Sequence, residues 1–303
     1  MGTQDQDRPE PGRCLALELG LRRVLAPNPS PMTLWGTQTH LIGEGDVAVL
    51  DPGPALPGHL AAILAALRPG ERIRHILVSH AHLDHSPLAR PLAEATGAEV
   101  LAFGPATAGR SPQMQRLAEA GMAGGEGVDH GFAPDRCLED GERLEGDGWV
   151  LEAIHTPGHM GNHLCFAWGD RLFSGDHVMG WSSSLVSPPD GDMGAYLRAL
   201  ERLAARDWRV LHPAHGAPVP APAARLAFLA EHRRQRETAI LAALDEAPQR
   251  TLPALTARVY HDTPAALKPA AARNLLAHLI DLAERNLVIA TPSLSADARF
   301  SRA

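Results

Sequence analysis

Six consecutive residues, His80-Ala81-His82-Leu83-Asp84-His85, contain four side chains able to ligate a metal ion. The chain of 303 residues has 16 histidines, so a single imidazole carries little weight. A His-x-His-x-Asp-His run directly after an apolar segment carries far more. Downstream, the stretches Thr156-Pro157-Gly158-His159, Ser174-Gly175-Asp176 and Pro213-Ala214-His215-Gly216 each follow a short apolar run and deliver another His or Asp. These seven residues describe two sites. His80, His82 and His159 would hold one ion; Asp84, His85 and His215 would hold a second; Asp176 would bridge them. Imidazole and carboxylate donors suit two divalent ions, with zinc expected and manganese or iron compatible. Two such ions about 3.5–4 Å apart share a water and bring its pKa toward about 7. That is hydrolytic chemistry: one ion polarises an acyl or phosphoryl oxygen and the other stabilises the leaving group.

Other residues fall beside this set. His163 is expected to support the ligands from behind, protonate a leaving group or contact substrate rather than bind an ion, because the seven donors leave no position vacant. Asp84 and His163 are thus the candidates for direct parts in turnover. His155 and His212 are expected to brace the turns by hydrogen bonds, and His177 to point away from the cavity. Asp51, in Asp51-Pro52-Gly53, reads more readily as a turn cap than as a support beneath the ions. Cys14, Cys137 and Cys165 show no paired spacing, so neither a disulfide framework nor a thiolate ligand is expected.

The positioning elements follow from periodicity. Ile73 to Ser79 reads as a buried strand, and Ser86 to Ala95 as a helix. The ligand run therefore sits on a turn at the carboxyl end of a strand, where α/β proteins bind ligands. Strands are also expected near residues 37–42 and 47–50, at 99–102, 149–154, 164–168, 171–173 and 208–211, with helices near 60–67 and 193–205. Residues 104–147 are Gly-rich and charged, and Gly124-Gly125-Glu126-Gly127 reads as a flexible surface loop. The Pro-rich segment 217–223 marks a boundary. Beyond it come helices near 224–244, 252–260 and 270–285, then a short strand at 287–289. That order is a winged-helix pattern, with Leu275, Leu279 and Leu282 on one face. The expected units are an extension with a first strand (1–27), a catalytic domain (28–220) and a winged-helix-like domain (221–303).

Composition narrows the class. Net charge is −7, which argues against a generally basic nucleic-acid binder. The charge is uneven: 17 basic against 27 acidic residues in 1–220, and 11 against 8 in 221–303. The start, Met1 to Gly12, is polar and reads as frayed, with no signal-peptide pattern, and no run approaches membrane-spanning length. Cytoplasmic location and no membrane partner are expected; the sequence carries no signal for oligomeric state.

The four motifs resemble the metallo-β-lactamase superfamily over about residues 28–220. The resemblance implies an α/β fold, an αββα sandwich with metals at one edge of its sheets. A closer likeness is to the lactamase-beta-2-like branch, which adds a C-terminal winged helix. It is carried by Asn28-Pro29-Ser30 with Thr33 and Gly36-Thr37, by the His159-to-His163 spacing, and by Arg273-Asn274-Leu275-Leu276-Ala277-His278-Leu279. That branch includes endoribonucleases of single-stranded RNA and thioesterases acting on polyketide-like acyl chains. True β-lactamases of this fold generally have Cys or another residue where Asp176 stands. Glyoxalase II enzymes share all seven ligands but have a different, glutathione-contacting C-terminal region. Flavodiiron proteins have Glu at the place of His82. Persulfide dioxygenases hold one iron in a similar shell. The expected activity is hydrolysis of an ester, thioester or related acyl bond in a small molecule. The alternatives are cleavage of single-stranded RNA, a mononuclear iron dioxygenase, and a DNA-binding regulator working through the winged helix.

Overall fold

A computed structural model describes residues 8–125 and 127–303. The expected frayed start falls partly, at residues 1–7, outside the described residues.

The first sheet has seven strands in chain order: β1 (Cys14–Glu18), β2 (Leu21–Leu25), β3 (Gln38–Ile42), β4 (Asp46–Leu50), β5 (Arg72–Leu77), β6 (Glu99–Ala102) and β7 (Arg136–Cys137). The first four form an antiparallel meander; from β4 onward the pairs are parallel, with α1 (Pro57–Ala65), α2 (Ala89–Thr96) and α3 (Pro112–Glu119) in the crossovers. Strands covered on both faces read as continuous apolar runs. In β4, Val47 and Val49 face α1 and α2, while Ala48 and Leu50 face the second sheet.

That second sheet has the order β12-β11-β10-β9-β8, from β8 (Arg143–Gly146), β9 (Trp149–His155), β10 (Leu164–Trp168), β11 (Arg171–Gly175) and β12 (Val210–Pro213), with α4 (Met193–Ala204) before its last strand. Leu151, Leu164, Phe166 and Phe173 point to the first sheet, and Ile154, Cys165 and Leu172 point to α4 and α5 (Pro222–Glu246). The result is an αββα sandwich. Asp192 caps α4 through its side chain, which accepts from Ala195 N at 2.8 Å.

After α5 come β13 (Arg250–Thr251), α6 (Leu252–Val259), a short 3-10 turn (Ala265–Leu267), α7 (Lys268–Glu284), β14 (Val288–Thr291) and β15 (Arg299–Arg302). The last strands form a small wing in the order β13-β15-β14. Leu275, Leu279 and Leu282 lie in this region's own core, which also takes in Met114 and Leu117 of α3. The tail is thus built around a helix of the sandwich. On α7, Ala277 joins the cluster beneath α4 instead. No helix among the described residues is long and apolar enough to cross a membrane.

Residues 104–147 differ from the expected loop. They carry α3, β7 and β8, and the Gly-rich part is tied down at both ends. Leu83 N donates to Gly127 O (2.7 Å), Asp129 N donates to Ala81 O (2.9 Å), and Gly125 N donates to Asp190 Oδ2 (3.1 Å). Backbone pairing of this kind leaves no trace in residue type.

Candidate metal centre

The carboxyl ends of β5, β9, β11 and β12 lie at one edge of the sandwich, and their turns converge. Three groups of donors come within ion-sharing range: His80, His82 and His159; His80, His85 and Asp176; and Asp84, His85 and His215. Every residue that the sequence nominated as a ligand is in this cluster. His80, His85, His159, Asp176 and His215 are buried, and Asp84 and His82 are partly exposed.

The supporting hydrogen bonds settle which imidazole nitrogen faces inward. A ring nitrogen against a carbonyl or carboxylate oxygen must carry the proton, which leaves the other as a lone pair. His159 Nδ1 donates to Leu185 O (2.6 Å), and His215 Nδ1 to Gly36 O (3.1 Å). His85 Nδ1 donates to Asp51 Oδ2 (3.1 Å). Ser79 Oγ donates to Asp51 Oδ2 (2.8 Å), so His80 Nδ1, 2.9 Å from that hydroxyl, donates to it. The Nε2 lone pairs of His80 and His159 therefore both point at His82 Nδ1, at 2.9 and 3.1 Å. Three nitrogens on one point, of which at most one can carry a proton toward another, are a fit for a cation.

The second group fits likewise. His215 Nε2 lies 3.2 Å from Asp84 Oδ2 and 3.3 Å from Asp176 Oδ1. His85 Nε2 lies 3.3 Å from Asp84 Oδ2 and 3.7 Å from Asp176 Oδ1, without a hydrogen bond that meets ordinary geometry. Asp176 turns its other oxygen, Oδ2, to His159 Nε2 at 3.7 Å. One carboxylate thus faces both groups. Burial opposes charge on His215, but Asp176 and Asp84 overcome it and hold the imidazole up at about 10. Burial likewise opposes charge on His85, and Asp84, Asp176 and Asp51 push it well above the ordinary range. Burial keeps His80 well below its ordinary value and lowers His82 to about 3, so both imidazoles are neutral and each keeps one nitrogen lone pair. Ion binding here would release protons from the second group.

Asp51 is the residue the sequence undervalued. It sits at φ 52°, an uncommon region for a non-glycine residue, and accepts from Ser79 N (2.7 Å), Ser79 Oγ and His85 Nδ1. The segment of Asn28 to Thr37 also has a physical role. Asn28 Oδ1 accepts from Thr37 N (2.9 Å), and Thr37 Oγ1 donates to Asp84 Oδ2 (3.3 Å). Gly36 stands at φ 129°, and a Cβ there would meet Ala26 O at 2.1 Å.

His163 is fully buried behind the cluster. Its Nε2 accepts from Asp176 N (3.2 Å), and its Nδ1 lies 2.9 Å from Thr156 Oγ1. Both nitrogens are engaged within the protein, so the geometry is that of a residue positioning Asp176. His155 braces its turn as expected, Nε2 donating to Gly161 O (2.8 Å). His212 does not: its ring packs on Phe173 and His40 with no hydrogen bond at either nitrogen. His177 points away, against Tyr196, with ring centroids 4.6 Å apart. Cys165 is a core thiol pushed up to about 12 by burial.

Comparison with known proteins places the chain in a family. Residues 251–296 match the beta-lactamase associated winged helix domain. A Drosophila melanogaster protein described as a beta-lactamase-like protein 2 homolog is 31% identical over 297 residues, 92% of each chain. A lactamase-like protein from Emericella nidulans and an atrochrysone carboxyl ACP thioesterase from Paecilomyces divaricatus are each 30% identical over 230 residues. These matches take in 74% of this chain but only 65% and 64% of the fungal proteins. Among solved structures, a metallo-beta-lactamase family protein from Thermus thermophilus is 26% identical with a TM-score of 0.74, over 95% of this chain and 100% of that one. Residues 32–215 match the family model of the metallo-beta-lactamase superfamily, and the chain belongs to that superfamily.

Proposed function

We propose that this chain is a dinuclear metal-dependent hydrolase of an ester, thioester or related acyl bond. Its ligands are His80, His82 and His159 for one ion, Asp84, His85 and His215 for the other, and Asp176 between them. The observation that carries this reading is Asp176, whose two oxygens face the two donor groups separately. Bound there, two divalent ions, zinc first among them, would activate a shared water and polarise the substrate carbonyl. The chain's own residues do the rest. Asp51 and Ser79 fix the inward tautomers of His80 and His85; Leu185 O and Gly36 O do so for His159 and His215. His163 holds the backbone of Asp176 in place.

A thioester is the favoured substrate class because relatives are named as acyl-carrier thioesterases. The tail supports an acyl substrate over RNA. Arg225 and Arg233 donate to backbone carbonyls of residues 179–184, and Arg236 donates to Val259 O, so these cations brace the fold and are not offered to phosphates. The catalytic unit is taken as 28–220 and the winged-helix unit as 221–303.

Elemental analysis of natively purified protein should give close to two ions per chain. A panel of thioester, lactone, phosphodiester and single-stranded RNA substrates should show turnover on the acyl compounds. One tightly held iron, with oxygen consumed on a persulfide, would replace this reading with the dioxygenase.

A further inference from the structure

We infer that Arg273 and Asn274 of the winged-helix region are positioning residues for the first ion, acting through the loop that orients His159. The inference rests on the ligand set proposed above. His159 takes its tautomer and aim from a single backbone oxygen, Leu185 O, at 2.6 Å. Leu185 lies in the long connection between β11 and α4, which has no regular structure; within it Ser184 Oγ donates to His177 O at 2.9 Å and Gly191 N to Ser187 O at 2.8 Å, but neither bond involves Leu185 or Val186. The residues on either side of Leu185 are held from the tail. Asn274 Oδ1 accepts from Val186 N at 3.0 Å. The same oxygen accepts from Arg233 Nη1 at 3.2 Å, and Arg233 also donates to Ser184 O. Arg273 Nε donates to Ser187 Oγ at 2.8 Å, and its Nη2 donates to Pro188 O and, at 2.9 Å, to Ala123 O. Ser184, Val186, Ser187 and Pro188 are thus pinned around Leu185, all by α7 or α5.

Arg233 adds a second constraint. It is 1% exposed, and its side chain meets a carbonyl, an amide oxygen and the Tyr196 ring, 5.2 Å away. A buried guanidinium held by neutral oxygens depends on every acceptor it has. Loss of the Asn274 oxygen would free Val186 N and leave Arg233 Nη1 short of a partner. Leu185 would then move with its neighbours, and His159 Nδ1 would lose its acceptor. Groups that orient a ligand in this way are generally worth about 10–100-fold in metal affinity. Acting one peptide removed, Asn274 should sit near the lower end.

The test is chelator competition on the full chain, loaded with zinc, resolving the two dissociation steps. His159→Ala and Asp84→Asn assign which step belongs to which ion. Asn274→Ala should weaken the first ion about tenfold and leave the second in place. Asn274→Asp keeps an acceptor for Val186 N and Arg233 and should restore native affinity. If Asn274→Ala does not fold, Arg273→Met, at a partly buried position, should weaken the same step. Native affinity for both ions in Asn274→Ala, equal weakening of both, or no rescue by Asn274→Asp would overturn the inference. If His159→Ala itself keeps both ions, the proposed ligand set falls with it; if only His159→Ala loses the first ion, the ligand set stands and the tail's part alone is refuted.

Discussion

Asp51→Asn is the most informative single change outside the donor cluster. Three donors share the two carboxylate oxygens: Ser79 N on Oδ1 at 2.7 Å, and Ser79 Oγ and His85 Nδ1 on Oδ2 at 2.8 and 3.1 Å. Asparagine tolerates the positive φ of this position, so backbone strain does not confuse the result. It offers one oxygen and one NH2. With the oxygen at the Oδ2 place, the NH2 opposes Ser79 N–H; with the amide reversed, it opposes His85 Nδ1–H. Either way two buried donors face each other, at a cost of about 1–3 kcal/mol. Ser79 Oγ also fixes His80, so the disturbance reaches both donor groups. Each ion should bind about 10–100-fold more weakly, or about 1.4–2.8 kcal/mol. The assay is chelator competition, with thermal unfolding of metal-free protein as a measure of the fold. Two ions held with native affinity by Asp51→Asn would refute the claim that this carboxylate sets the tautomers.

Other outcomes follow from the same geometry. Asp84→Asn keeps the shape but removes the charge facing His85 and His215, so the second ion should be lost far more than the first and hydrolysis should fall by several orders of magnitude; near-native turnover would show the sites to be misassigned. His163→Ala should keep both ions, lower turnover, and destabilise the protein by about 1–3 kcal/mol as Asp176 N loses its buried acceptor; loss of an ion would make His163 a ligand. His59, lowered by burial from 6.5 to about 4, is neutral in the folded chain while the unfolded chain takes up a proton below its ordinary value. Its contribution is therefore intact above pH 6.5 and is lost as pH falls toward 4, at about 1.4 kcal/mol per pH unit. Denaturant unfolding across that range should show a shallower slope for His59→Gln, and an unchanged slope would remove His59 from the account.

The convergence of His80, His82, Asp84, His85, His159, Asp176 and His215 was legible because ion chemistry restricts residue type and each turn follows a recognisable apolar run. The layers were legible for a related reason: the continuous apolar runs of β4 and β10 mark strands covered on both faces, and the alternation in the first half of β9 marks a strand with one face more open. Asp51 was not legible. Its role depends on the end of β4 lying beside the end of β5, and an isolated Asp before Pro reads equally well as a turn. Leu185 O and Gly36 O were invisible in principle, since any residue supplies a carbonyl. The pairing of Gly127 and Asp129 with the ligand turn is hidden likewise. The helices of the tail could be read from period, but not that Met114 and Leu117, over a hundred residues earlier in sequence, would join their core.

The donors that meet at this edge are spread from His80 to His215, and the braces reach from Asn28 to Asn274. A ribosome delivers such a chain from one end. When β5 and its turn have emerged, four donors exist, but His159 and the bridging carboxylate do not. The second group waits longer still, for His215, whose Nδ1 acceptor at Gly36 was made at the beginning. An ion offered early meets an incomplete set and is held weakly. Bound between His80 and His215, it would tie together segments that the backbone alone joins only through a long loop whose closure costs entropy. A complete donor set for either group therefore exists only once most of the sandwich has been made, and an ion held by both groups would bind after that point.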